Sequence, residues 1–538
     1  MKKLRGRPVL ILLCLLFAAL MVHTTWCAAG IIDSDAVSEL MLARQVHQEG
    51  VVVSHNWYYS TDIKVLCDQL VFAPLFSVFS DWRTIRFVGS LIQQGILLAC
   101  FAFLLRSLKA SPRRTLLGCL LLGLPVSVGW GRVTLYHCFY IPYLAVAFLL
   151  LGLYRRYLRG GSRKRQYLRG CGMAVLSFIA GLSGMRHLMW TTAPLLASAA
   201  LDLLLENRPL TGKRLKRLLP LLWHLVPLVL GYAVFAGVLC REFTITNHYD
   251  GRLITLISAQ RLQELVSAFL KAFGFAEDVP LLSLNGIVCV LGAAAAVLSL
   301  PAALLGLRRQ EDEKRFACLF YLMGLLVNAA VFILIDSSED YFPCYALIPV
   351  CYAIPMLVLP GKAEKPLPVR RLISWLCAVA LLLSGVVTTG FFRDPEHSTL
   401  TWEGLPNSDP LLSSELQGAA DYASSQGWTL GCAVGEDSYW YSAVITELTD
   451  GEISMVCLED GEEGIRNYLR SAWILPDADS LEPDTFFVIT RHTEDGPLDE
   501  LGLRDALTEV WQDGFCTLYT CADPKAAFGG YVNKEASK

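Results

Sequence analysis

Charge is scarce in this chain. Only 18% of its 538 residues are Asp, Glu, Lys or Arg, where a soluble domain carries about a quarter. Long apolar runs replace the missing charge, and 54% of residues are hydrophobic. That excludes an ordinary soluble enzyme and predicts a polytopic α-helical membrane protein. Several signatures are absent too. The seventeen cysteines include no CxxC or Cys/His zinc spacing, and most sit inside apolar runs, where Cys behaves as a small hydrophobe. There is no Walker loop, no HExxH and no GxSxG with a matching triad, which argues against nucleotide-driven, zinc-protease and esterase chemistry. Most apolar runs lack a central charge, which weakens a proton-relay transporter. Internal repeats and low-complexity tracts are missing. No basic, aromatic-interleaved patch points to nucleic acid.

The charge that remains is divided unevenly. Residues 392–538 hold 28 of the 49 acids but 8 of the 46 Lys and Arg. An acidic tail behind a basic, apolar body predicts two modules, 1–391 in the membrane and 392–538 soluble. The start, MKKLRGRPVLILLCLLFAALMV, fits a signal peptide. Its apolar run reaches Ile32, long enough to cross a bilayer at ~20 residues, so it is read as an uncleaved first span.

Ten further apolar runs follow, near 86–105, 115–130, 138–154, 170–189, 190–205, 218–239, 284–306, 316–335, 344–360 and 372–391. Five linkers are basic: RSLKASPRR, YRRYLRGGSRKRQYLR, ENRPLTGKRLKR, LRRQEDEKR and GKAEKPLPVRR. With the N-terminus inside, eleven spans put all five in the cytoplasm. The opposite face then carries a long first loop (33–85) and the tail. Ala36–Gln48 and Asp62–Phe79 read as helices lying along the membrane surface, with Trp57, Tyr58 and Tyr59 between them. In the tail, strands near 429–434, 453–458, 485–490 and 515–520 alternate with helices near 411–426, 438–448 and 498–511, a small α/β domain. Cys432, Cys457, Cys516 and Cys521 leave room for one or two disulfides there.

Candidate chemistry gathers on the outer face. Asp33 and Asp35 close the first apolar run. One acid suffices to cap the next helix. A second carboxylate near lipid is costly unless it is used or paired. Arg186 and His187, in GLSGMRHLMW, offer a phosphate clamp at an outer turn where the Gly181–Gly184 spacing lets backbones approach. The competing reading is an arginine snorkelling to headgroups. Arg132 and His137, in GRVTLYHC, form a similar turn, and Lys64 and His55 in the first loop could also face a phosphate. DSSEDYFPCY (336–345) reads as a hydrated turn or a cation site.

These residues and this layout resemble the membrane glycosyltransferases of the GT-C fold, among them the protein O-mannosyltransferases and the lipid A aminoarabinose transferases. IIDSDAVSELMLARQV resembles the first-loop acidic motif, with Ser34 separating acids that are often adjacent. GLSGMRHLMW resembles the middle outer turn. SEDYFPCYALIP resembles a late Arg-Tyr-x-x-Pro segment, with Asp340 where an arginine is common. SYWYSAVITELTDGEI resembles tails of uncharacterised bacterial members. The resemblance implies transfer of a sugar from a polyprenyl-phosphate carrier, with inversion, to an extracytoplasmic acceptor that is protein, lipid or wall polymer. Asp33 or Asp35 would be the base, and Arg132, Arg186, His187, Lys64 and His137 would hold the donor phosphate. If a divalent cation such as Mg or Mn takes part, Asp33 and Asp35 are its candidate ligands. The alternatives are a transporter or flippase of a lipid-linked glycan, and a non-catalytic envelope scaffold.

Overall fold

A computed structural model describes residues 7–60, 63, 65–136, 140–205, 211–246, 259–275, 279–307, 312–334, 342–359, 368–395, 411–459, 464–492 and 496–532. Each of the eleven apolar runs is helical among the described residues. Among the described residues seven helices are long and apolar enough to cross a membrane, or eight if one bent pair is a single span. The other four runs fall short for local reasons, and of these Phe342–Val358 is only 17 residues long. The run at 115–130 breaks between Pro112–Gly123 and Val128–Leu135, where the chain bends by 99°. Pro125 forces the break, because the residue before a proline is driven out of the helical region and Leu124 is extended (ψ 136°). Arg163–Leu182 opens with RKRQYLR, so only its second part is apolar. Leu188–Leu204 is short and begins with a π turn.

Close backbone approach holds part of the bundle. A Cβ on Gly181 would lie 2.3 Å from the Leu228 carbonyl, and one on Gly231 would lie 2.2 Å from the Phe178 carbonyl. The helices Arg163–Leu182 and Leu222–Val234 therefore meet at two glycines.

The first loop is no surface appendage. Its helix, Ser34–Glu49, is capped by the Asp33 side chain and ends at Gly50 (φ +68°), a left-handed position that glycine takes at no steric cost. Eleven of its residues are buried, including Ser34, Ser38, Glu39 and Gln45 as well as Val37, Leu40 and Val46. A helix lying on a membrane would bury one stripe. This one is enclosed, because the tail helix Ser438–Leu448 packs on it from one side and Gln69–Phe72 with the 3₁₀ turn Ala73–Ser77 from another. Trp57 is 1% exposed. It does not belong to an interfacial belt but forms β1 (Trp57–Tyr58), antiparallel to β4 (Arg470–Ser471) of the tail.

The tail carries a five-stranded sheet of β2 (Leu430–Val434), β3 (Ser454–Leu458), β5 (Phe486–Arg491), β6 (Leu507–Gln512) and β7 (Cys516–Cys521), in the order β3-β2-β5-β7-β6. β2 runs parallel to β3 and β5, while β7 is antiparallel to β5 and β6. The helix expected over 498–511 is instead a short helix, Gly496–Glu500, followed by β6. Thr508, Val510 and Trp511 favour a strand, and the Asp513-Gly514 step is a hairpin signal.

The room left for disulfides in the tail is not used: all four tail cysteines are free and buried. Cys432 and Cys521 lie in the core on one face of the sheet, Cys457 and Cys516 in the core on the other. Strands are spaced ~4.8 Å apart. Each same-face pair is two or three strands apart, beyond the ~7 Å Cα reach of a disulfide.

Candidate functional site at the mouth of the first span

Asp33 follows the first span (Arg7–Ala28) after a short extended stretch. Its Oδ1 accepts from the Ala36 amide at 2.9 Å, and its Oδ2 accepts from the Arg132 guanidinium at 3.2 Å. The side chain is 2% exposed and that of Arg132 is 12% exposed. Arg132 is delivered by the π turn Arg132–Tyr136 beyond the Pro125 bend. Asp33 thus caps a helix and pairs with a cation, so both oxygens are committed.

Asp35 differs. It is partly exposed in the first turn of the same helix. Tyr439 of the tail donates to its Oδ1 at 2.6 Å. Oδ2 accepts no hydrogen bond among the described residues. Burial first, and then the Asp35 charge, push the Tyr439 phenol well above its ordinary range, so it remains a donor. Arg466 lies over the Tyr439 ring at 4.6 Å and over Tyr468 at 5.0 Å.

Two more guanidiniums stand at this mouth. Arg83 lies 5.0 Å over Trp26, and a Cβ on Gly30 would sit 3.3 Å from its Nη2. Arg393 ends the helix Pro368–Arg393 and, with Arg83, lies within electrostatic reach of Cys27. Phe391 and Phe392 of that helix share a core with Ala28, Ile31 and Leu135.

The tail is fastened to this mouth by polar contacts. Arg86 donates through Nε to Glu447 at 2.8 Å, forms an ion pair with it through Nη2, and donates to the Ala36 carbonyl at 3.1 Å. Asp450 accepts from the Trp82 amide at 2.8 Å, Arg44 donates to the Gly451 carbonyl at 2.9 Å, and the Ala443 amide donates to Ser34 at 3.1 Å.

Of the residues singled out in the sequence, the structure joins Asp33 to Arg132 and places Asp35 close by, two residues along the chain. Arg186 and His187 form a separate aromatic cluster. Arg186 lies 5.8 Å over Tyr140 and 5.9 Å over Tyr143, and the buried His187 ring is 4.8 Å from Tyr143. His55 stacks on Phe243 at 4.3 Å. Lys64, His137 and the acids at 336–340 lie outside the described residues. Sequence reasoning missed Arg83, Arg393 and Tyr439. Arg83 was signalled by WRTIRF, which sets two arginines at the start of a span, and Tyr439 lies in the noted tail stretch.

A divalent cation finds a poor donor set here. Asp33 is saturated by an amide and a guanidinium, and the adjacent positive charge opposes a dication. Among the described residues no group of three or more His, Cys, Asp or Glu could hold a metal ion.

No family model matches the sequence, and no curated protein does. Solved structures do match in fold. ArnT from Cupriavidus metallidurans in the apo state superposes with a TM-score of 0.57 at 12% identity, over 97% of this chain and 99% of that one. The same protein bound to undecaprenyl phosphate gives 0.56 at 12% identity, over 95% and 98%. The oligosaccharyltransferase of Archaeoglobus fulgidus, tethered with an acceptor peptide, aligns more loosely, at 0.42 and 10% identity over 88% and 69%. With apolar helices in a membrane bundle, a capped and enclosed first loop, and a sheet-bearing tail, this chain is a multi-pass membrane protein of the GT-C fold.

Proposed function

We propose that this chain is an integral membrane glycosyltransferase that moves a sugar from a polyprenyl-phosphate carrier to an acceptor hydroxyl, with Asp35 as the general base. The observation that carries the reading is the asymmetry of the two acids. Asp33 is saturated, while Asp35 keeps one oxygen held by Tyr439 and the other unengaged at a partly exposed position. In that role Asp35 Oδ2 takes the proton of the acceptor hydroxyl. The resulting nucleophile attacks the anomeric carbon from the face opposite the phosphate, the carbon–phosphate-oxygen bond breaks, and configuration inverts. The leaving phosphate gains negative charge as the bond lengthens. Guanidiniums aimed at such developing charge stabilise a transition state more than a ground state. Arg132, held by Asp33, fits that duty, with Arg83 and Arg393 beside it. Arg186 and His187 are assigned to the same phosphate or its lipid chain, and Lys64 and His137 remain further candidates.

The carrier is lipid and the acceptor comes from water, so the reaction needs a site at the membrane boundary. The end of the first span meets that need, as does the fold shared with a protein that binds undecaprenyl phosphate. The basic linkers support a cytoplasmic N-terminus and an extracytoplasmic tail. On this reading 1–391 form the membrane domain and 392–538 the acidic cover of its mouth.

The test uses purified protein in nanodiscs with a panel of polyprenyl-phosphate sugars, following release of free polyprenyl phosphate. Asp35→Asn should lower turnover by ~10²–10⁴-fold, the usual worth of a general base, at unchanged abundance. Asp33→Asn should mainly weaken donor binding, by freeing Arg132. Equal turnover by Asp35→Asn and wild type would sink Asp35 as the base. No release from folded wild type with any donor would favour carriage of the lipid-linked glycan without transfer.

A further inference from the structure

The other end of the bundle carries a polar cavity. The helix Trp82–Ser107 begins beside the tail and runs 26 residues away from it, about 39 Å at 1.5 Å per residue. Just past its far end lies a cavity of about 200 Å³. Four further helical elements end or begin there. Arg155 comes from Ile141–Leu158, with Arg159 just beyond it. Asp202 comes from Ala193–Leu204, Glu313 from Asp312–Leu334, and Arg217 from Lys216–Leu221. Lys109 completes the charged lining.

The carboxylates in this cavity are committed. Glu313 accepts from Arg155 Nε at 2.9 Å and from Arg159 Nε at 2.7 Å, with Lys109 Nζ at 3.6 Å. Asp202 accepts from Arg315 at 2.7 Å and lies 3.8 Å from Arg155. Four lining cations face two carboxylates, an excess of two positive charges in the lining. The charge is graded in depth. Arg155 and Glu313 side chains are 6% and 5% exposed and form the floor, whereas Arg159 is 30% and Lys109 60% exposed toward the mouth. Arg217 is exposed as well. The acids therefore fix the deep arginine, and the outer cations stand where a ligand enters.

Leu158, Leu203 and Leu218 give the lining an apolar part, and next to Leu203 and Leu218 in the chain Leu204, Leu205, Leu215 and Leu219 are 58%, 45%, 51% and 53% exposed. A free anion gains nothing from them. A phosphate carrying acyl or prenyl chains would set its charge in the cavity and its chains along the leucines, as basic pockets between membrane helices do with anionic headgroups.

We propose that this cavity binds the phosphate headgroup of an anionic membrane lipid, at the end of the bundle remote from Asp33 and Asp35. Chemistry has no reactive group here, since both acids are spent on arginines. The site is one of binding: it anchors the bundle to one leaflet through a charge-matched lipid.

The experiment uses the full chain, delipidated in detergent, with native mass spectrometry to count retained lipid. The probes are phosphatidic acid, phosphatidylcholine and inorganic phosphate. Wild type should retain phosphatidic acid and release phosphatidylcholine. Lys109→Ala combined with Arg217→Ala removes two exposed cations at little risk to folding, checked by gel filtration and circular dichroism. Retention should fall ~30-fold, the product of two surface cations acting on an anionic headgroup. Leu204→Gln with Leu219→Gln should weaken lipid retention while leaving inorganic phosphate unchanged. Unaltered phosphatidic acid retention in the Lys109/Arg217 variant would overturn the site. Equal retention of phosphatidylcholine would reduce it to apolar contact with the exposed leucines and overturn the headgroup site. Displacement of phosphatidic acid by inorganic phosphate at equal concentration would overturn the lipid assignment in favour of free phosphate.

Discussion

The two ends of the bundle use the same residues to opposite effect. At the far end Glu313 and Asp202 are wrapped by arginines, and what remains over is positive charge. At the mouth of the first span Asp33 is wrapped in the same way by Arg132 and a backbone amide. Asp35 is not, and what remains over is half a carboxylate. A saturated carboxylate is structural, because its lone pairs are already spent. An unspent one beside water can take a proton. The difference between the ends is thus one of leftover valence, and it separates the proposed site for chemistry from the proposed site for binding.

The largest expected effect attacks that contrast directly. Asp35→Asn removes the open carboxylate oxygen at the mouth and should cost ~10²–10⁴-fold in turnover. Glu313→Gln, at the other end, should leave turnover within a few-fold, since no reacting atom is near. Polyprenyl phosphate release in matched nanodiscs compares the two. Similar losses in both variants would dissolve the distinction.

The next effect is on stability. Glu447→Ala leaves the Arg86 guanidinium buried without its carboxylate, and breaking one side of such a pair costs ~3–5 kcal/mol. The tail should loosen from the second span, seen as a lower detergent unfolding temperature and faster proteolysis of the tail. Replacing both Arg86 and Glu447 with Met should recover much of the loss, because a buried pair gives little net stability over apolar residues of like size. A smaller effect belongs to Tyr439→Phe. Losing one hydrogen bond to a charged oxygen is worth ~1.5–3 kcal/mol. Here the expected readout is lower turnover with KM nearly unchanged, since Asp35 loses the donor that orients it. Unchanged turnover would reduce Tyr439 to packing.

Much of the fold was legible in the sequence. Apolar runs and basic linkers carry the membrane helices because span length and charge placement are local properties. Tail strands β2, β3, β5 and β7 were readable from short β-branched and aromatic runs. β6 was not, because LTEVWQ alternates weakly and follows a helical-looking stretch, and the Asp513-Gly514 turn outweighed it. The enclosed first-loop helix was misread for a different reason. Its polar buried positions, Ser34, Glu39 and Gln45, find partners far away in the chain or across a loop, such as the Ala443 amide and Gln69. No periodicity reveals a partner 409 residues distant. The acidic pair could be found in the sequence, but the different surroundings of Asp33 and Asp35 depend on Arg132 and Tyr439, which only folding delivers.

The smallest effect separates charge from hydrogen bonding where the tail meets the second span. Asp450 accepts from the Trp82 amide, yet burial raises its carboxyl above the ordinary range, outweighing that hydrogen bond, with Asp81 and Glu452 adding to the rise. A raised carboxyl binds its proton more tightly folded than unfolded. Its contribution to stability is therefore fully present below the unfolded value and fades as pH rises through the folded one. An asparagine side chain at this position would keep an acceptor for Trp82 without the charge, and it also tolerates the left-handed backbone of Asp450 (φ 50°). Asp450→Asn should raise the unfolding temperature slightly at neutral pH. The pH-dependent share of that gain should vanish in acid below the unfolded carboxyl range, leaving only the backbone share. A gain that is flat across the acid limb would mean that the Asp450 charge costs nothing, and that the tail is held to the second span by geometry alone.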